Sequence, residues 1–292
     1  ATGLSRIGID PSAGNFREFY PPDIALVTDY FSARAYRSIM GTRPARVITS
    51  IAMFYDLPAP LEFMREIKEI LAPDGLWVFE QSYMPTMLER NAYDTICHEH
   101  LEYYGLRQIE WMVERAGLKI LDVALNDVNG GSFCVTACHQ TAPHQPRATW
   151  PALRQAEVQA GLTGLKPYDA FRERVFRHRD ELVAAIGHLR QTGQLLLGYG
   201  ASTKGNVLLQ FCGFTERDIP AIADRNPAKF GRFTPGSLIP IIPEDEARAR
   251  QPAVLLALPW HFREGFLQRE RAFLERGGRF LFPLPRLEWV AA

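Results

Sequence analysis

Short apolar runs alternate with amphipathic stretches along the whole chain, and the spacing of apolar positions switches between a period of two and a period of 3.6, as in α/β proteins. Ser5 to Asp10 and Ile24 to Thr28 read as strands, Ser32 to Met40 as a helix, and Ala45 to Ser50 as a third strand followed by a loop from Ile51 to Pro60. Leu61, Met64, Ile67 and Leu71 fall on one helical face; Asp74-Gly75 is a stop signal, and Leu76 to Glu80 is the next strand. Strands alternating with helices predict a parallel sheet with ligands at its carboxyl ends. Gln108 to Ala116 is a helix with Ile109, Met112, Val113 and Ala116 on one side, and Lys119 to Leu125 and Ser132 to Ala137 are strands that double back around Asn129-Gly130-Gly131.

Between Gln140 and Pro151 three prolines and scattered polar residues replace the periodic spacing, which predicts a boundary. A long amphipathic helix follows, Tyr168 to Gln191, with Phe171, Val175, Leu182, Ile186 and Leu189 on one face. A second α/β unit then opens: an apolar strand, a glycine-rich turn and a helix from Asn206 to Phe211, then Pro220 to Asp224, Ala253 to Leu258, a helix from Glu264 to Arg276, and Arg279 to Phe282. The expected organisation is a first domain over 1–140, a linker over 141–167 and a second domain over 168–292.

Composition adds limits. At 292 residues, 47% hydrophobic and 23% charged, the chain has material for two cores. Thirty-three basic and 33 acidic residues cancel, so the overall field argues for no nucleic acid and no anionic membrane as partner, and small molecules become the expected ligands. The four cysteines form no CxxC pair, and no apolar run is long enough for a membrane span, which together with the absence of a signal layout leads to an expected cytoplasmic location.

The densest chemistry lies between Asn91 and Tyr104, centred on His98-Glu99-His100. Histidine exchanges protons near neutral pH, and an adjacent carboxylate holds a tautomer or raises basicity, so the box suits general-base work. Metal ligation is open too, although His-x-His lacks zincin spacing and no third ligand is close in sequence; hydrogen-bonded structural polar residues are the plain alternative. Asp10 ends the first strand, where a carboxylate either binds ribose hydroxyls or caps the next turn. Asp29, Tyr30 and Phe31 offer an acid and aromatic rings at the end of the second strand, suited to an adenine. Gly198-Tyr199-Gly200-Ala201-Ser202-Thr203-Lys204-Gly205 has GxGxxxxG rather than GxGxxG spacing; its amides at a helix start suit a phosphate, but a tight turn needing glycine alone is the alternative. Asp224 repeats the strand-then-acid arrangement, and Lys229 and Arg232 beyond it suit a diphosphate or a solvated turn.

Ile9-Asp-Pro-Ser12, Asp94-Thr-Ile-x-His98-Glu-His100, Asn129-Gly-Gly131, the Gly198 to Asn206 loop, Asp224-Arg-Asn-Pro-x-Lys229 and Pro283-Leu-Pro285 occur in an order that resembles the nucleotide-sugar C-methyltransferases of deoxysugar and surface-polysaccharide biosynthesis, over essentially the whole chain. The resemblance implies a class I, Rossmann-like, S-adenosylmethionine-dependent methyltransferase sheet followed by a second Rossmann-like α/β domain that binds a nucleotide diphosphate sugar. The family's zinc-binding N-terminal module and the strand with its glycine-rich cofactor loop have no counterpart here. The chain is therefore expected to open at the second strand of that sheet, as a truncated first domain that holds the cofactor weakly; zinc belongs only to the missing module.

By the same resemblance Asp10 takes the cofactor ribose, Asp29, Tyr30 and Phe31 border the adenine, and Ser50, Ile51 and Ala52 line the cofactor. His100 is the base with Glu99 and His98 beside it. Tyr83, Asn129, Gly130, Tyr199, Gly200, Ser202, Thr203, Lys204, Asp224 and Lys229 are expected on the substrate, with Lys204 and the loop amides on the diphosphate. Two positions depart from deoxysugar relatives: Cys97 stands where some have tyrosine, and Asp56 where some have a histidine, positions that together help handle the substrate's keto oxygen and proton, so the substrate is expected to differ from the antibiotic sugars. The implied reaction is methyl transfer to a sugar carbon alpha to a ketone, through an enolate, without a catalytic metal. A nicotinamide-dependent nucleotide-sugar oxidoreductase and a non-catalytic nucleotide-sugar-binding protein are the rivals; neither uses the His-Glu-His box.

Overall fold

The computed structural model describes residues 3–292. They form two compact units that are interleaved in sequence: residues 84–100 and 127–131 belong with residues 160–292, and the rest of the chain forms the first unit. Among the described residues no helix is long and apolar enough to cross a membrane.

In the first unit β1 (Arg6–Ile9) and β2 (Ile24–Val27) are a parallel pair. α1 (Ala33–Met40) begins where the Ser32 hydroxyl accepts from the Ala35 amide, which satisfies one of the unpaired donors of the first turn. β3 (Ala45–Ile51), α2 (Pro60–Ile70) and β4 (Leu71–Ser82) follow, with proline in the first turn of α2, where a missing N–H costs nothing. Asp74-Gly75, expected to stop a helix, lie instead within the strand. The register moves from Ala45 to Val47 on β3 while β4 advances from Leu71 to Leu76, so the residues between bulge out, and glycine fits there because a Cβ would sit 2.9 Å from the Ala45 carbonyl oxygen.

α3 (Met84–Glu89) belongs to the second unit. The first resumes with α4 (Leu106–Arg115), β5 (Leu118–Asn126) and β6 (Ser132–His139), and closes with α5 (Thr149–Gln159). β3, β4, β6 and β5 make one sheet in that order, β3 parallel to β4 and β6 antiparallel to both its neighbours. The doubling back around Asn129 is present, with Asn126 opposite Ser132. Trp77 and Phe79 point to one face of β4, stacked 4.0 Å apart and packed with Phe54, Phe63 and Phe133. Burying each such ring is worth about 2–3 kcal/mol.

α5 occupies part of the stretch expected to be a linker. Its Glu157 is buried and caps another helix: the carboxylate accepts from the Leu106 amide, from the Arg107 amide at 3.1 Å and from the Tyr83 hydroxyl at 2.9 Å. A negative charge there meets the positive end of α4. The prolines around Pro151 conceal this helix from a reading of local composition.

The second unit holds α6 (Lys166–Gln191), β7 (Leu196–Tyr199), α7 (Thr203–Phe211), β8 (Ile222–Asp224), β9 (Ile241–Pro243), α8 (Glu244–Ala249), β10 (Val254–Ala257), α9 (Arg263–Arg269), α10 (Arg271–Glu275), β11 (Arg279–Phe282) and β12 (Glu288–Val290). The strand order is β12-β11-β10-β7-β8-β9, parallel except for β12. Numbered from β7 this is 3-2-1-4-5-6, the doubly wound order whose direction reverses between β7 and β10. The expected single helix from Glu264 to Arg276 is two helices, interrupted at Glu270, which is buried and bonded to Tyr199 and Arg248. The segment 84–100 is fastened within this unit. Arg174 donates to the Leu88 carbonyl at 2.5 Å, and His178 donates from Nε2 to the Pro283 carbonyl, which leaves Nδ1 to accept from the Tyr93 hydroxyl at 3.0 Å.

Candidate active site

The reversal point between β7 and β10 is where a doubly wound sheet opens a crevice at its carboxyl edge. Gly200 leaves β7 with φ of 83°, and a Cβ there would lie 2.6 Å from Pro259, so both the backbone angle and the close approach demand glycine. The Ser202 hydroxyl then caps α7 by accepting from the Gly205 amide at 3.0 Å. Asp224 and Lys229, expected on substrate, lock this loop instead. The Asp224 carboxylate accepts from the amides of Ala201 and Asn226, each at 2.8 Å, and Lys229 donates to the Ala201 carbonyl at 2.7 Å and to Asp224 at 3.3 Å. Tyr199 is likewise spent internally, its hydroxyl 2.8 Å from both Glu244 and Glu270, and burial beside Glu270 raises its pKa.

Lys204, in the first turn of α7, donates to the Asn129 carbonyl at 2.6 Å. Asn129 has φ of 54°, and Gly130 packs so closely on Trp260 that a Cβ would sit 3.1 Å from the indole. The Trp260 N–H donates to Asp94 Oδ2 at 2.8 Å; Asp94 is fully buried, and its Oδ1 has no partner of ordinary hydrogen-bond geometry among the described residues. Residues 93–95 pack on α7, which brings the His-Glu-His box to the same place. Within it His98 and Glu99 are exposed and His100 is half-buried.

The electrostatics single out His100. Burial lowers its pKa and the Lys204 ammonium lowers it further, while Glu99 and a hydrogen bond from the ring to the Thr95 carbonyl oppose the shift. The result is a neutral imidazole at neutral pH, the form that accepts a proton. Burial also lowers Lys204, with Asp94 and Cys97 opposing, and raises Asp94, with Lys204 and Trp260 opposing. His261 is pushed down to about 4 by burial and by Lys204, and its Nδ1 is buried without a partner among the described residues.

Asp94, His100, Asn129, Gly130, Ser202, Thr203, Lys204, Trp260 and His261 thus occupy one neighbourhood of the second unit. Trp260 and His261 were not among the residues expected from sequence. Their signal is Leu258-Pro-Trp-His261 directly after an apolar strand, the carboxyl-end position where doubly wound sheets bind ligands.

The expected cofactor residues lie at the carboxyl ends of β1, β2 and β3 in the first unit. Asp10 Oδ1 accepts from the amide and hydroxyl of Ser12, both at 2.6 Å, so this carboxylate organises its own turn and presents Oδ2 beside it. Asp29 accepts from the Tyr30 amide at 2.8 Å, and Tyr30 is 77% exposed. Ile51 and Ala52 are exposed, whereas Phe31 packs on Phe63 at 4.8 Å and Ser50 is buried, accepting from the Trp77 indole at 3.1 Å. Phe31 and Ser50 therefore act mainly as core. Tyr83 does so too, since its hydroxyl is committed to Glu157. Asp56 is exposed.

Residues 127–285 match the family model of the C-methyltransferase C-terminal domain, and residues 2–123 match that of a methyltransferase domain. The chain belongs to the C-methyltransferase family. Over 288 residues it is 32% identical to C-methyltransferase NovU of Streptomyces niveus, a match that takes in 98% of this chain and 68% of that protein. Among solved structures, a pericyclic reaction enzyme is similar over 46% of this chain and 36% of its own (15% identity, TM-score 0.38), and the CcbJ methyltransferase from Streptomyces caelestis over 47% and 75% (13% identity, TM-score 0.35). Membership of the C-methyltransferases rests on the sequence matches. It makes the chain an enzyme of carbon methylation, with an α/β methyltransferase domain preceding the C-terminal one.

Proposed function

We propose that this C-methyltransferase transfers a methyl group from S-adenosylmethionine to a carbon alpha to the keto group of a nucleotide diphosphate-linked 4-keto-deoxysugar, with His100 as the base. The observation that supports it most is His100 itself: a half-buried imidazole, oriented by the Thr95 carbonyl and held neutral by burial and by Lys204, at the crevice of a 3-2-1-4-5-6 sheet.

Bound S-adenosylmethionine supplies a methyl group that a carbon nucleophile can attack. Asp10 and Asp29, at the ends of adjacent parallel strands, suit the hydroxyls of its ribose, and the exposed Tyr30, Ile51 and Ala52 suit its apolar surface. A sugar C–H is not nucleophilic, so this chain must make a carbanion equivalent. His100 takes the alpha proton, and the electrons of the broken C–H bond pass to the neighbouring carbonyl oxygen. Glu99, exposed beside it, favours the imidazolium that forms. The amides at the start of α7 face a phosphate group best, because unpaired N–H donors and the helix dipole act together there. Trp260 packs closely on Gly130 beside this site and offers it an apolar surface.

The test is methyl transfer to a panel of dTDP-, UDP-, GDP- and CDP-linked 4-keto-6-deoxyhexoses, followed by mass. At least one sugar should gain a single methyl group on carbon, and His100→Asn should lower turnover by about a hundredfold or more while sparing binding of S-adenosylhomocysteine. Near-normal turnover in that variant would remove His100 from the role of base. A nicotinamide-dependent redox change of the same sugars, without methylation, would replace the proposal altogether.

A further inference from the structure

We propose that the Lys204 ammonium holds the substrate's carbonyl oxygen as it becomes an enolate oxygen, with the Asn129 carbonyl fixing that ammonium in place. The inference rests on His100 being the base, and it moves Lys204 from the diphosphate, where its place in a glycine-rich loop first puts it, to the reacting carbon.

Three observations carry it. The ammonium has three N–H donors, and one is committed to the Asn129 carbonyl at 2.6 Å, which fixes its direction and leaves two for a ligand. That carbonyl belongs to a left-handed residue braced by Gly130 against Trp260, so the tether is itself rigid. Finally, α7, whose first turn carries Lys204, packs on residues 93–95 just ahead of the His-Glu-His box, and the Asn129–Gly130 turn that holds the ammonium leans on Trp260, which is bonded to Asp94, so the cation faces the box rather than running out along the loop.

Charge balance points the same way. Moving one proton from carbon to His100 creates one imidazolium and one enolate, so the step adds no net charge to the pocket. The step is written in full as follows: the C–H bond breaks, its proton goes to His100 and its electrons become the C=C bond, while the carbonyl π pair moves to the oxygen held by Lys204. In methyl transfer the enolate carbon then bonds the methyl, the sulfur–methyl bond breaks with its pair staying on sulfur, and the ketone reforms.

Enolate formation is read without methyl transfer. The wild-type chain with S-adenosylhomocysteine is incubated in deuterium oxide with the same panel of nucleotide-linked 4-keto-6-deoxyhexoses, and deuterium at the alpha carbon is followed by mass. Lys204→Met should slow exchange and kcat by about a hundredfold or more, as loss of one oxyanion donor does, and leave KM within about threefold. Because a lone buried Asp94 can unfold the site, the paired variant Lys204→Met with Asp94→Asn is measured too, and the same loss is expected from it in a protein with a wild-type circular dichroism spectrum. A KM raised about tenfold with exchange retained would return Lys204 to the diphosphate and overturn the proposal. Exchange lost in His100→Asn but retained in both Lys204 variants sinks the Lys204 role alone; exchange retained in His100→Asn, or absent from the wild type with every sugar, sinks the base assignment and this inference with it.

Discussion

At the scale of residues, burial rather than sequence neighbours sets the chemistry. His98 and His100 are two positions apart, yet only His100 is drawn into the second unit's crevice, and there its proton is weakened below the ordinary histidine value of 6.5. If His100 is the base, as proposed, it must be unprotonated to act, so kcat/KM should be flat through neutral pH and fall only below about 6.5. A pH–rate profile with its acid limb above 7 would contradict this. Stability carries the same sign. His100, His178 and His261 all have lowered folded values, so the unfolded chain binds more protons as pH drops below 6.5, and stability is lost from there downward, His261 continuing to about 4. Asp94 is shifted up and opposes this with one proton against three. Urea melts between pH 8 and pH 4 should show the midpoint decreasing steadily below 6.5. Glu157 is a different case, a buried carboxylate whose worth is mechanical: Glu157→Ala leaves two helix amides and the Tyr83 hydroxyl without their acceptor and should cost about 2–4 kcal/mol in a urea melt.

At the scale of elements, the loop after β7 shows why a motif names a conformation more surely than a ligand. Asp224 and Lys229 resemble ligand contacts when read in sequence, and both are consumed in holding Ala201 and Asn226. Gly200→Ala must place a methyl group on Pro259 at a positive φ, so it should destabilise the second unit by about 1–3 kcal/mol and misplace the start of α7. Lower thermal stability together with weaker nucleotide-sugar binding is the expected pair of results. Unchanged stability would mean that the loop relaxes freely. The break at Glu270 is the same lesson in a helix: the periodic apolar spacing continues across it, but a carboxylate that satisfies Tyr199 and Arg248 inside the unit stops the helix and starts another.

At the scale of the whole molecule, the two units are built from interleaved segments, and the second depends on residues 84–100 for more than the proposed base. Tyr93 pairs with His178, Asp94 with Trp260, and the Leu88 carbonyl with Arg174. A protein comprising residues 160–292 alone should therefore melt well below the second unit of the full chain and bind a hydrophobic dye, because these partners are buried polar groups that lose their mates. Equal stability would show the segment to be an ornament on a self-sufficient fold. The sequence by itself determined the alternation of strands and helices, the hairpin around Asn129 and the glycine turn, since each depends on local spacing or on a backbone angle that few residues adopt. Helix α5 escaped it, because Pro151 within it and the two prolines before it mimic a linker and its role is to cap a helix about fifty residues earlier. Only the tertiary structure decided that Phe31, Ser50, Tyr83 and Tyr199 turn inward, that the box joins the second unit, and that Lys204 is held by the Asn129 carbonyl on a helix packed against residues 93–95. Those outcomes depend on burial and on partners distant in the chain, and neither leaves a periodic mark on the sequence.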